Sequence, residues 1–331
     1  MTFSRTNSIT DVPGVEVGQA QDGEALTGCT VLICRNGAVA GVDVRGSAPG
    51  TRETDLLNPI NLVEKIHAVL LAGGSAFGLD AAGGVMRYLE EQKIGFNTGV
   101  AKVPIVPAAI LFDLAVGNKN VRPDAEMGYK ACLAASKAPC EEGNIGAGAG
   151  ASVGKMFGLP LAMKSGLGSA SMHIGDLVVG AIVAVNAFGD IINPDNGEIL
   201  AGLRSGKIGP LHVGGKNYFA DTLDMLKKPV GRVVLGFATR TNTVIGAVAT
   251  NARLTKSEAT KVAQMAHDGL ARAVRPAHTM LDGDTLFALS TGSKKAEVSV
   301  IGAFAAEVMT QAILRAVNMA APAGGLPGLK K

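Results

Sequence analysis

The link Thr241-Asn242-Thr243 stands directly before an otherwise apolar run. A threonine hydroxyl placed there is a poor nucleophile until a base lies beside it. A free α-amine on the same residue would be that base, with a pKa near ~8. Cleavage of the chain before Thr243 would create such an amine, although by periodicity alone Thr241 and Thr243 read as two ordinary strand-edge threonines. Leu281-Asp282-Gly283-Asp284-Thr285 sets two carboxylates close together before another apolar run. Taken alone, Asp-Gly-Asp reads as a turn, and it offers too few oxygen ligands for calcium.

The glycine-rich run Gly146-Ala147-Gly148-Ala149-Gly150-Ala151 formally fits a dinucleotide fingerprint, but no apolar strand precedes it. The phosphate-loop pattern fails, with Ala149 in place of its first Gly and Met156 in place of Ser or Thr. What remains is a close backbone approach that positions Lys155. Gly73-Gly74-Ser75-Ala76-Phe77-Gly78 lies between a strand and a helix as a nucleophile elbow does. Phe77 replaces the elbow's second glycine, so Ser75 is expected to cap the helix. His267 falls on a capped helix and His278 in the loop 276–283, while His67, His173 and His212 are scattered; no pair has metal-ligand spacing, and each is expected to be structural.

The elements that must hold these stretches follow from the period of the apolar residues. Strands are expected at 30–34, 38–44, 68–72, 177–185 and 285–290. Two more, 231–237 and 243–250, are expected to flank the link 238–242, the second with Thr243, Ile245, Ala247 and Ala249 on one face. Asn186 ends the 177–185 strand, an ordinary place for a turn residue. Helices are expected at 77–92, 124–136 and 298–319, and Thr255-x-x-Glu258 is a capping box opening another that runs to about Ala273, before Pro276. With no repeat or long linker, residues 1–331 form one expected domain of α/β (α+β) class, mixed sheets covered by helices on their outer faces.

Composition narrows the function. A chain of 331 residues with 47% hydrophobic and 18% charged residues buries a large core and is not disordered. Its 44 glycines have no triplet period, which excludes collagen. The net charge of +3 forms no basic block, Trp is absent and Tyr occurs three times, so nucleic acid is not an expected partner. Cys29, Cys34, Cys132 and Cys140 lack metal or redox spacing and make no disulfide scaffold, so a reducing cytoplasm is expected. Residues 1–11 hold no signal-like apolar segment. The longest apolar run, 177–185, is about half the ~20 residues of a membrane span, so no membrane association is expected. No cofactor or metal is expected either.

One family unites the ordered motifs: Ile9-Thr10-Asp11-Val12-Pro13-Gly14-Val15, Asp43-Val44-Arg45-Gly46, Pro49-Gly50-Thr51-Arg52-Glu53-Thr54, Ala72 to Leu79, Gly146 to Lys155, Val183-Ala184-Val185-Asn186, Asn242-Thr243, and His278 to Ala288. Over nearly its whole length the sequence resembles the self-processing L-aminopeptidases/D-esterases, a family that also contains β-peptidyl aminopeptidases and nylon-oligomer endo-hydrolases.

The resemblance implies an amino-terminal-nucleophile fold, a four-layer αββα sandwich. It implies self-cleavage between Asn242 and Thr243 into an α chain, 1–242, and a β chain, 243–331. It implies hydrolysis of short peptides, amino-acid amides or nylon-like oligoamides through an acyl-enzyme on Thr243. Asn186 is then the oxyanion-hole amide, and Lys155 a cation that keeps the α-amine neutral and stabilises negative charge. Asp282 and Asp284 become a pair orienting the Thr243 amine and hydroxyl. That pair, Ser and Glu in the β-peptidyl aminopeptidases, places the chain nearest the nylon-oligomer branch. Phe112 stands where nylon hydrolases keep a tyrosine near the nucleophile, so a phenolic donor is lost and substrate binding there should differ. A homo-oligomer, a homotetramer of processed αβ units, is implied as well. Two other classes remain open: an acyltransferase of the ornithine-acetyltransferase type, which passes the acyl group to an amine, and an unprocessed small-ligand binding protein on the same fold.

Overall fold

A computed structural model describes residues 6–237 and 242–331. Thr241 and the rest of the link up to Asn242 lie outside the described residues. Nine strands carry the architecture: β1 (Glu16–Asp22), β2 (Thr27–Val44), β3 (Thr51–Arg52), β4 (Ile66–Ala72), β5 (Ala108–Ile110), β6 (Leu167–Ile174), β7 (Leu177–Asn186), β8 (Thr243–Ala252) and β9 (Thr285–Lys294).

The strands expected at 30–34 and 38–44 are two halves of β2, whose register with β4 shifts between Ile33 and Ala38. Its first half pairs antiparallel with β1 and β4, and its second half, from Val39, pairs antiparallel with β9. Two mixed sheets therefore share one strand, and the ladder runs β6-β7-β8-β9-β2-β4-β5-β3 without a break.

Burial orders the layers. Leu32, Val69 and Leu71 of one sheet meet Ile182, Ile245, Ala247, Phe287 and Leu289 of the other. On the first sheet's outer face, Val31 and Leu70 pack with Val85 and Leu89 of α1 (Ala81–Glu91) and with Ala131 of α2 (Ala125–Leu133). Two short helices follow in the chain, α3 (Thr222–Lys227) and α4 (Pro229–Phe237). On the second sheet's outer face, Val183, Val248 and Leu286 pack with Leu270 of α5 (Lys256–Ala273) and with Ile301, Val308 and Ile313 of α6 (Val298–Asn318). The result is the expected αββα sandwich. Each fully buried aliphatic side chain contributes about 1.5–3 kcal/mol. All ten residues of β8 are buried, as a strand covered on both faces requires. Thr255 and Glu258 form the expected reciprocal cap of α5.

Three expectations are corrected. Residues 231–237 belong to helix α4, not to a strand. Pro229 opens that helix, where its missing N–H costs nothing, and a short apolar run has no period that separates strand from helix. Residues 75–80 form a 3-10 turn before α1, and Ser75 makes no side-chain cap bond, so it does not cap the expected helix from 77. Instead its backbone N–H donates to Leu111 O at 2.9 Å. Helix α2 starts where expected but ends at Leu133, with Asp124 accepting from Met127 N. Helix α6 is long and apolar enough to cross a bilayer by composition alone, but it is mostly buried against the second sheet.

Candidate active site

Strand order assembles the site. Strands β7 and β8 run antiparallel with Asn186 opposite Thr243, so the last residue of one faces the first of the other. Strands β8 and β9 run parallel, so the residues preceding β9 lie beside the start of β8. Asn242 bridges Asp282 there, and Gly283 N–H donates to Asn242 O at 2.9 Å. Thr243 is 5% exposed, and its Oγ1 donates to the Asn242 carbonyl oxygen.

The carboxylate pair is buried, not a solvated bend: Asp282 is 2% and Asp284 1% exposed. Burial and the neighbouring Asp284 push the Asp282 carboxyl up to about 6. Its Oδ2 accepts Thr279 N–H at 3.0 Å and the Thr279 hydroxyl at 2.5 Å, and its Oδ1 accepts Phe188 N–H at 3.4 Å. Asp284 Oδ1 accepts Val244 N–H at 2.8 Å, one residue past the candidate nucleophile. The end of β2 supports this segment through backbone bonds, Arg45 N to Asp284 O at 3.0 Å and Ala48 N to Asp282 O at 2.9 Å. A Cβ on Gly46 would lie 2.2 Å from Asp284 N, so only glycine fits.

On the other side, half-buried Lys155 donates from Nζ to Asn186 O at 3.0 Å and to its Oδ1 at 2.7 Å. Burial draws the Lys155 ammonium down to about 7, against the pull of Asp282 and Asp113. Asn186 is fully buried; its Oδ1 also accepts Ser152 N–H at 3.1 Å, and its Nδ2 donates to Phe112 O at 3.0 Å. Phe112 also lines a cavity of about 370 Å³ with Ala115, Val116, Leu159, Ser152 and Lys155. A larger groove of about 950 Å³, around residues 198–228, touches none of the gathered residues.

Thr243, Asn186, Lys155, Asp282, Asp284 and Phe112 thus converge. The glycine run does not hold Lys155, which is placed by Lys155 N to Phe188 O at 3.1 Å. The run surrounds Lys164 instead: this fully buried ammonium donates to Gly148 O at 3.1 Å, to Ala151 O at 2.9 Å and to Ser165 O. Lys164 carries no spacing signal in the sequence. Asp113 was equally silent; buried beside Phe112, it accepts Gly74 N–H and the Thr27 hydroxyl, both at 2.7 Å. Two histidines expected to be structural lie beside the site: His278 Nδ1 is 2.8 Å from Asp284 Oδ2, and the His267 ring lies 4.8 Å from that of His278.

A hydroxyl, a carbonyl held by a backbone N–H, a side-chain amide, a cation and two buried carboxylates are the parts of an acyl-transfer centre. Among the described residues, no group of three or more His, Cys, Asp or Glu is arranged to hold a metal ion.

The chain is similar to known peptidases and amide hydrolases. The sequence profile of peptidase family S58 matches residues 7–330. An uncharacterized aminopeptidase of Mycobacterium tuberculosis is 42% identical over 345 residues, covering 97% of this chain and 96% of that protein. A 6-aminohexanoate-oligomer endohydrolase of Kocuria sp. is 34% identical over 328 residues, covering 93% of this chain and 85% of that protein. Among solved structures, a β-aminopeptidase of Burkholderia sp. superposes with a TM-score of 0.69 at 23% identity, covering 99% of this chain and 92% of that one. The L-aminopeptidase D-Ala-esterase/amidase of Ochrobactrum anthropi, described as a variant of the Ntn hydrolase fold, gives 0.68 at 18% identity, covering 97% and 88%.

Proposed function

This chain belongs to peptidase family S58 and is a hydrolase of amide bonds, and from that premise we propose that it cuts itself between Asn242 and Thr243 to free Thr243 as an amino-terminal nucleophile. The observation that carries the reading is the Asn242 carbonyl: its oxygen accepts Gly283 N–H at 2.9 Å and the Thr243 hydroxyl lies against it. A polarised carbonyl beside a hydroxyl is the starting geometry of acyl transfer.

In the uncut chain, Thr243 Oγ1 adds to the Asn242 carbonyl carbon. The C–N bond breaks, the hydroxyl proton passes to the departing amine, and the acyl group becomes an ester on Thr243. Water hydrolyses that ester, leaving an Asn242 carboxylate and a free Thr243 amine. In turnover the same hydroxyl attacks a substrate amide while the α-amine takes its proton and returns it to the leaving amine. Asn186 Nδ2 is the side-chain donor for the developing oxyanion, and Asp282 with Asp284 orients the Thr243 amine. Lys155 in its charged form keeps that amine neutral and stabilises negative charge.

The substrates that suit the site are short peptides, amino-acid amides or oligoamides, with an acyl portion entering the largely apolar cavity at Phe112. The working enzyme is a cytoplasmic homo-oligomer of units made from chains 1–242 and 243–331. The decisive test is Thr243→Ala, which should remain one chain and hydrolyse nothing, while Thr243→Ser keeps part of both activities. An alanine variant that still matures, read by intact-protein mass spectrometry, would place the nucleophile elsewhere.

A further inference from the structure

We propose that His278 is a positioning residue for this reaction: it clamps one oxygen of Asp284 so that the other stays aimed at the start of β8. The inference rests on the function proposed above but concerns a residue outside its machinery.

Asp284 Oδ2 accepts two bonds from His278, backbone N–H at 3.2 Å and ring Nδ1 at 2.8 Å, while Oδ1 accepts Val244 N–H at 2.8 Å. A carboxylate acceptor fixes the tautomer, since only a protonated Nδ1 can donate to it. His278 sits in the left-handed region, with φ +55°, and in that conformation both donors meet one oxygen. A residue with a Cβ held there is uncommon, and such conformations gather at functional sites.

The support extends one layer further. The His267 ring of α5 meets the His278 ring edge-on, with centroids 4.8 Å apart and planes at 72°. His267 Nε2 lies 3.0 Å from Asp43 O, the strand partner of Leu286 just beyond Asp284. Burial lowers the His267 ring to about 4, so it stays neutral and serves as a wall instead of a competing cation. Among the described residues, the charged and titratable groups around the clamp are Asp282 on its own loop, His267 from α5, Asp43 from β2 with Arg45 bound to it at 2.6 Å, and Lys155 beyond Asp282. With Oδ2 held by both donors of His278, the Asp284 carboxyl cannot swing away from Val244 N–H, which Oδ1 accepts at 2.8 Å.

Two substitutions separate positioning from packing. His278→Gly tolerates the left-handed backbone and deletes the ring donor. His278→Asn tolerates it as well and returns an N–H near the place of Nδ1. The glycine variant should lose about ten- to a hundred-fold in kcat on a short amide with KM within two-fold. The asparagine variant should recover kcat to within about three-fold. If the glycine variant fails to fold, by circular dichroism, the asparagine variant alone decides by its kcat. An unchanged kcat in the glycine variant, or a folded asparagine variant whose kcat is not restored, overturns the clamp. Wild type and Thr243→Ala measured alongside keep the two claims apart: an inactive wild type or an active alanine variant defeats the proposed function, whereas the His278 outcomes with a normal wild type bear on the clamp alone.

Discussion

Asn186 joins more of the site than any other side chain, since its Oδ1 holds Lys155 Nζ and Ser152 N–H while its Nδ2 reaches Phe112 O. Asn186→Ala should therefore lower kcat by about 10²- to 10³-fold, the usual cost of one oxyanion-hole donor. Circular dichroism should be unchanged, and a variant with normal kcat would leave Asn186 a strand-end residue. Asp282 gives the pH dependence its sign. With its carboxyl near 6, activity should rise through an acid limb close to pH 6 as the group ionises. Asp282→Asn should abolish or displace that limb and lower turnover by orders of magnitude. A profile unchanged by the substitution would show that the carboxylate does not orient the nucleophile.

The elements around these residues act through backbone contacts. Strand β2 ends in a segment whose N–H groups at Arg45 and Ala48 bind the carbonyls of Asp284 and Asp282, and Gly46 lies between them with no room for a Cβ. Gly46→Ala should push the Asp282–Asp284 segment away from β8 and destabilise by about 1–3 kcal/mol, the range for an overpacked site. Self-cleavage should slow in parallel, as gel separation of cut and uncut chains would show. A normally matured variant of wild-type stability would mean that this contact yields cheaply. Gly283 lies under a similar constraint, because a Cβ there would come within 2.4 Å of Ala48 O and 3.0 Å of Thr243 Oγ1.

For the molecule as a whole, the proposed cut need not release either piece. Strand β8, at the head of the 243–331 segment, is paired with β7 from residues 1–242 along its length, and β9 is paired with β2. Denaturing electrophoresis should show pieces of roughly 25 and 9 kDa, scaling 33.6 kDa by length, that migrate together under native conditions. A smaller piece that does not begin at Thr243 would refute the cut site. Stability should carry the mark of Asp282 too. Its folded carboxyl keeps a proton up to about pH 6, whereas an unfolded one loses it near ~3.9. The folded chain therefore binds more protons between those values, and this group's contribution to stability is lost as pH rises through them. Thermal melts at pH 4 and pH 6 should show a smaller fall for Asp282→Asn than for wild type; equal falls would contradict the shift.

Where periodicity is long and unambiguous, as in β7, β8, the capped α5 and the apolar α6, sequence alone determined the element, because burial on a known face dictates which residues are apolar. The six residues that converge were named only through the family resemblance, because taken singly each of them reads as an ordinary strand-edge, turn or surface residue. Sequence did not determine that residues 231–237 are helical, because a short apolar run fits either state. Nor did it separate Asp282 and Asp284 from a surface turn. Only the parallel pairing of β8 with β9 takes those carboxylates out of water and sets Asn242 beside them. Lys164, Asp113 and the His267–His278 contact were invisible for the same reason: their partners lie on other elements, and no local spacing encodes a distance across a fold.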